Sequence, residues 1–353
     1  MKIAPIMAAL DSAIQRGATL EYILVHTGQH YDEKMSETFF RELEIPMPQV
    51  NLACGGGSQA VQTASIMMRF EEHLLQHPTD LVLVVGDVTS TMACAIVAQK
   101  LHTPVAHVEA GIRSNDWSMP EEINRLVTDS ICNYFYTTTP EASQTLMRSG
   151  VSEERIQFVG NTMIDTLLKN KHRFKKPSWF TERGLSQGAY LVITLHRPSN
   201  VDDPNHLQAL LEEIVKHSRG VPLVFPVHPR TRKNLGPQWD AHPQLILCDP
   251  MGYLEFNYLV EHSMAVITDS GGITEETTVM QIPCMTLRNS TERPETCTLG
   301  TNELIGTSIA ALQPALERLF AGNWKKGSIP EKWDGHAAER IVEHIVALAH
   351  QKL

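Results

Sequence analysis

At 353 residues the chain exceeds what one hydrophobic core usually organises, so two domains are expected. Hydrophobic residues at 42% and charged residues at 20% are ordinary for a soluble globular protein. The net charge of -10 argues against a nucleic-acid surface, which needs a basic face, but leaves room for an anionic small ligand held by a few local donors.

Along the chain, short β-rich apolar runs alternate with amphipathic stretches, the pattern of parallel sheets with crossover helices. In the first half, strands are expected at 22–27, 80–86, 104–108, 134–138 and 155–159, with helices at 3–15, 58–76, 90–101, 120–132 and 140–149. In the second half, strands fit at 189–194, 223–227, 244–247, 265–268 and 283–286, with helices at 204–217, 253–261, 273–280, 308–321 and 336–351. The polar and basic stretch 170–186, with no clear strand, reads as the linker. The fold class is therefore α/β, two Rossmann-like domains with a ligand cleft between them at the carboxyl ends of the strands. The domains are 1–170, 171–335 and a terminal helix in 336–353. No apolar run approaches a membrane span, and the N-terminus lacks a signal-peptide pattern. The six scattered cysteines suit reduced thiols in a cytoplasmic setting. Without HExxH or a His/Cys cluster at ligand spacing, no metal site is expected among the 16 histidines.

Five stretches carry polar residues at strand ends. In VITDSGGITEET, at 266–277, a strand runs through Asp-Ser-Gly-Gly into a helix. Gly271 and Gly272 let an anion approach the backbone N–H groups of the helix start, and Ser270 can add a donor. Glu276 falls within reach of a ribose diol, although a tight turn with capping residues explains the motif equally well. In VVGDVTST, Asp87 follows an apolar strand, where it serves a ligand or caps the next helix. In HVEAGIRSNDWSMPEEINR, Glu109 closes a strand, while Glu121 and Arg125 share one helical face and Glu122 points elsewhere. Glu121–Arg125 could be a plain surface ion pair. Three carboxylates converging on one cleft should repel, however, and raise at least one pKa, as general acid–base work requires. His196 and Arg197 follow a strand of the second domain, and His228 and Arg230 repeat the pattern one strand later, so the sequence does not choose between them. Arg293, in a loop beside Pro294, suits a bidentate phosphate contact or an exposed loop salt bridge.

Taken in order, GDVTST, HVEAGIRS, MPEEINR, TLHRPSN, FPVHPRTR, TDSGGITEET and TERPE resemble the non-hydrolysing UDP-N-acetylglucosamine 2-epimerases and their relatives acting on other UDP-2-acetamido sugars. The resemblance implies a glycosyltransferase-B-like pair of domains whose C-terminal helix crosses back to the first. It also implies removal of the C2 proton with loss of UDP from C1, then re-addition of UDP after C2 is protonated on its other face. By position, Asp87, Glu109 and Glu121 match the family's acid–base carboxylates, with Arg125 beside them, and His196 matches its site histidine. Lys2, Phe256, Ser270, Gly271, Gly272, Glu276 and Arg293 match its UDP-binding positions. A UDP-sugar substrate, no cofactor, no metal, a homodimer and a cytoplasmic place in cell-surface polysaccharide synthesis go with the resemblance.

Two departures stand out. Family members begin with a strand and a Gly-Thr-Arg-Pro-Glu turn before the helix that here reads MKIAPIMAAL, so a central strand and an arginine have no counterpart. The neighbouring strands would then lack a partner, and low stability and activity are expected. Met251 stands where many relatives carry a polar residue. Competing readings are a hydrolysing epimerase, a glycosyltransferase on the same fold, and a UDP-sugar-binding pseudoenzyme.

Overall fold

The computed structural model describes residues 1–28 and 40–351. The chain divides into two compact units, one comprising Met1–Lys169 with Glu331–Leu353, the other Asn170–Pro330. Among the described residues every strand pair in both is parallel, as the β/α alternation requires.

In the first unit, β1 (Val25–His26) pairs with β2 (Val50–Asn51) as a separate two-stranded sheet. A four-stranded sheet follows in chain order, β3 (Val82–Val85), β4 (Val105–Val108), β5 (Tyr134–Thr137) and β6 (Ile156–Phe158). Among the described residues, β1 therefore has β2 as its only strand partner and β3 has only β4. The expected strand at 22–27 shrinks to two residues, and β2 is too short to show an alternation in sequence. Both faces of the four-stranded sheet are covered. Ile66, Phe70 and Ala93 pack with Val105 and Phe135 on one side, whereas Ile6, Ala338 and Ile341 pack with Val108 and Tyr136 on the other. The register sets Val85 opposite Val108 and Val108 opposite Tyr136, so β3 and β4 end level and β5 runs one residue further.

The second unit is one continuous six-stranded sheet of β7 (Leu191–Thr194), β8 (Leu223–Pro226), β9 (Leu245–Cys248), β10 (Ala265–Thr268), β11 (Cys284–Thr286) and β12 (Asn302–Leu304). Its order is β12-β11-β10-β7-β8-β9, so the winding reverses between β7 and β10. Such a switch point opens a crevice beyond the carboxyl ends of those two strands. The helices Ile3–Gln15, Pro204–His217 and Tyr253–Glu261 lie where the apolar periodicity puts them. The helix expected at 273–280 starts earlier, as Gly271–Met280, because both glycines adopt helical geometry and Ser270 becomes the N-cap.

The stretch expected to be a linker is not a solvated tether. Phe180 and Leu185 are buried with Tyr190 and Val192, and the Phe180 ring meets Tyr190 edge-on at 5.5 Å. The helix Thr162–Asn170, absent from the sequence reading, closes the first unit's main segment. The chain rejoins that unit at Glu331, ahead of its terminal helix Ala337–Gln351. There the buried Trp333 donates its indole N–H to the Thr138 carbonyl at 3.1 Å. Asp165 then caps the terminal helix by accepting the Ala337 and Ala338 N–H groups at 3.1 and 2.7 Å. Burial pushes the Asp165 carboxyl up to about 6. The six cysteines are free thiols. Among the described residues, no helix is long and apolar enough to cross a membrane.

Candidate functional site

The carboxylates of the first unit stand at the level ends of β3 and β4 and on the helix Pro120–Ile131 that follows β4. Gly86, at φ +75°, turns the chain out of β3 and delivers Asp87. Glu109, just past β4, holds φ +76°, a left-handed conformation unusual for a side chain with a Cβ. Its backbone N–H donates to the Tyr136 carbonyl at 2.9 Å, which fixes that turn. Pro120 opens the helix and puts Glu121 and Glu122 in its first turn, where the helix dipole favours negative charge.

Cations meet the repulsion expected among these carboxylates. Lys2 reaches Glu109 at 2.5 Å and covers Gly86, where an added Cβ would lie 3.3 Å from its Nζ. Arg125, buried in the helix, donates from Nε and Nη2 to Asp87 Oδ2 at 3.0 and 2.5 Å. Its Nη1 donates to Glu122 at 2.9 Å. The helical-face reading is thereby corrected, because Glu122 is the buried partner of Arg125 and Glu121 stays half-buried. A three-residue spacing meets on a helix as well as a four-residue one, and here the buried side chooses between them. Burial alone would raise the Glu122 carboxyl, but the Ser114 N–H, Arg125, the Asn115 N–H and the Ser114 hydroxyl together hold it below the usual carboxylate range. Asn124 adds a bond from its amide to the Asp87 carbonyl at 2.9 Å.

In the second unit, the residues at the switch point gather on one buried anion. Asp269, directly after β10, is fully buried. It accepts the N–H groups of His196 and Arg197, the latter at 2.9 Å, and the Asn200 amide at 3.0 Å. Its Oδ1 lies 2.8 Å from His196 Nδ1, so one face of the imidazole is held while half of the side chain remains exposed. Burial would raise the Asp269 carboxyl, and the bonds from His196, Asn200 and Arg197 outweigh it and pull the pKa down. His228 differs in kind, because its Nδ1 accepts the Arg230 N–H at 3.2 Å and caps a short helix. Both histidines line a cavity of about 230 Å³ with Ser270, Met251, Phe256 and Ile273. The anion-held His196 is thus set apart from its repeat.

Ser270 makes no capping bond with its side chain. A Cβ on Gly271 would come within 2.7 Å of Glu292 Oε1, and Glu292 is itself held by Arg288 at 2.7 Å. A side chain at Gly271 would have to displace the Glu292 carboxylate from its place beside Arg288. Arg293 is not in an exposed loop pair, because it is buried and paired with the buried Glu275. Glu276 is also interior, accepting the Tyr253 hydroxyl at 2.8 Å. Burial pushes its carboxyl up to about 7, against the lowering effect of Tyr253 and Asn257. Among the described residues, no group of three or more His, Cys, Asp or Glu side chains is arranged to hold a metal ion.

The family model described as UDP-N-acetylglucosamine 2-epimerase matches residues 12–346. The chain belongs to that family. A UDP-N-acetylglucosamine 2-epimerase of Methanocaldococcus jannaschii is 38% identical over 354 residues, covering 97% of this chain and 94% of its own. The UDP-2,3-diacetamido-2,3-dideoxy-D-glucuronate 2-epimerase of Pseudomonas aeruginosa is 37% identical over 347 residues, covering 97% and 96%. The crystal structure of the Methanocaldococcus jannaschii enzyme in complex with UDP-GlcNAc and UDP has a TM-score of 0.87 at 37% identity, covering 98% of this chain and 96% of that one.

Membership of the family agrees with the α/β fold class and the resemblance read from the motifs. Sequence reasoning passed over Asp269, the carboxylate between β10 and Ser270, although its place at a buried strand end was the available signal. It also passed over His107, a polar residue in a strand whose four residues are all buried.

Proposed function

We propose that this chain interconverts the C2 epimers of a UDP-2-acetamido sugar by eliminating and re-adding UDP. A carboxylate takes the C2 proton, the C–H electron pair forms the C1=C2 double bond, and the C1–O bond breaks with UDP keeping its electrons. A carboxylic acid then returns a proton to the opposite face of C2 as UDP re-adds at C1. One base cannot serve both faces, so Asp87, Glu109 and Glu121 share that work in our reading, with Arg125 paired to Asp87 and Lys2 to Glu109.

The observation that carries the proposal is the clustering of Asp87 and Glu109 at level strand ends, each against its own cation, with Glu121 opening the next helix. For UDP, the reading assigns the helix start at Ser270, Gly271 and Gly272 to the anion and His196 to the departing phosphate. Phe256, on the cavity wall, is assigned to the base, with Glu276 and Arg293 supporting the nucleotide from beneath. The relatives named for N-acetylglucosamine and for diacetamido-glucuronate are about equally similar, so the substrate is stated as the class they share. A cytoplasmic homodimer that supplies cell-surface polysaccharide synthesis completes the reading, and a monomer in sedimentation equilibrium contradicts that part.

The test is incubation with UDP-N-acetylglucosamine in deuterated water. Deuterium at C2 of intact UDP-sugar supports the epimerase. Stoichiometric free UDP with the free sugar would instead identify hydrolysis, and binding without exchange would identify a pseudoenzyme.

A further inference from the structure

A second charged cluster lies beneath the carboxylates of the first unit, and the mechanism above does not use it. His107 is in the centre of the sheet on β4 with no exposed surface. Its Nδ1 is 2.7 Å from Asp129 Oδ1, and its Nε2 is 2.8 Å from the Gly86 carbonyl oxygen. A carbonyl can only accept, and an ionised carboxylate can only accept. Each ring nitrogen must therefore carry a hydrogen, which a neutral imidazole cannot supply. The ring is an imidazolium buried in the core, with Asp129 as counter-ion. Burial alone would drive the proton off, and Asp129, Gly86 and Glu109 outweigh it, so the shift runs upward.

The geometry points to a task beyond packing. Gly86 immediately precedes Asp87, and His107 is two residues before Glu109. Asp129 lies on the helix whose first turn carries Glu121, and its other oxygen accepts the Gly111 N–H at 3.1 Å and Arg113 at 2.5 Å. Gly86, Glu109 and Gly111 are all left-handed, at φ +75°, +76° and +79°. Glycine takes that conformation freely, but Glu109 carries a Cβ and keeps it only where its surroundings hold it. We propose that His107 is a positioning residue, a permanently charged imidazolium that ties the Asp87 turn and the Glu109 turn to the helix bearing Glu121. This rests on the reading of those carboxylates as the groups that move the C2 proton.

The experiment has two arms on the full chain. In the first, side-chain ¹⁵N spectra of ¹⁵N-histidine-labelled protein are followed from about pH 6 to about pH 9, across the range where an ordinary histidine loses its charge. The resonance that vanishes in His107→Gln should keep both nitrogens protonated throughout. A neutral tautomer at pH 7.5 overturns the proposal.

In the second arm, C2 deuterium exchange and the UDP dissociation constant are measured for His107→Gln, His107→Asn and His107→Leu. The Gln amide sits near Nε2 and keeps the bond to Gly86, and the Asn amide sits near Nδ1 and keeps the bond to Asp129. Exchange should fall about tenfold or more in both polar variants and furthest in Leu, with UDP affinity unchanged within about threefold. Exchange left untouched in the folded Gln and Asn variants overturns the positioning role alone. No exchange in the unsubstituted chain overturns the functional reading, and the positioning role with it.

Discussion

The two units secure their candidate residues by different means. In the second, a continuous six-stranded sheet brings β7 and β10 side by side, and one buried carboxylate, Asp269, collects backbone N–H groups, an amide and His196. In the first, the sheet is in two pieces among the described residues, and the residues are joined by ion pairs between side chains, Lys2 with Glu109, Arg125 with Asp87 and Glu122, and His107 with Asp129. The backbone-built seat of Asp269 holds His196 through its Nδ1, beside the cavity that His196 lines. The first unit balances charge on charge instead, with one side-chain cation against Asp87 and another against Glu109.

Removing the central anion of each unit should sharpen that contrast. Asp129→Ala would leave the buried His107 charge uncompensated and cost about 3 to 5 kcal/mol. Asp269→Ala would strand chiefly neutral donors, with His196 half open to water, and should cost about 1 to 3 kcal/mol. Denaturant unfolding of both variants checks the order, and equal losses would break the comparison.

A smaller effect comes from pH. Glu276 has its folded pKa raised from 4.5 to about 7, so the folded chain holds this proton more tightly than the unfolded one. Its contribution is fully present below about pH 4 and is lost as pH rises through about 7, on the order of 3 kcal/mol. Glu276→Gln should flatten the stability profile between those values. A profile that is unchanged by the substitution would remove Glu276 as its source.

The smallest expected difference is local. With one strand partner among the described residues, β3 should exchange its amide hydrogens faster than β10, which lies between β7 and β11. Equal protection in a native-state exchange experiment would contradict the idea that the first unit is the more loosely joined.

Much of this was legible from pattern, and the remainder failed for identifiable reasons. Long apolar periodicities marked Ile3–Gln15 and Pro204–His217 to the residue. Two-residue strands such as β2 carry no period to detect. Phe180 and Leu185 were hidden in a stretch whose basic composition suggested solvent, although their side chains pack inward. At the site, motif positions located Asp87, Glu109, His196 and Ser270 at strand and helix ends. Their partners depend on which side of a helix faces the core, and that separates Glu122 from Glu121 in a way spacing alone does not. Asp129 and His107 are 22 residues apart and meet only because β4 lies under the helix Pro120–Ile131.

The central claim is the division of labour, with proton transfer at C2 in the first unit and nucleotide binding in the second. C2 deuterium exchange and UDP affinity, measured side by side on Glu109→Gln and His196→Ala, test it most directly. The account predicts at least about a hundredfold loss of exchange in Glu109→Gln with UDP affinity held within about threefold, and weakened UDP binding in His196→Ala. Normal exchange in Glu109→Gln, or equal loss of UDP affinity in both variants, would contradict it.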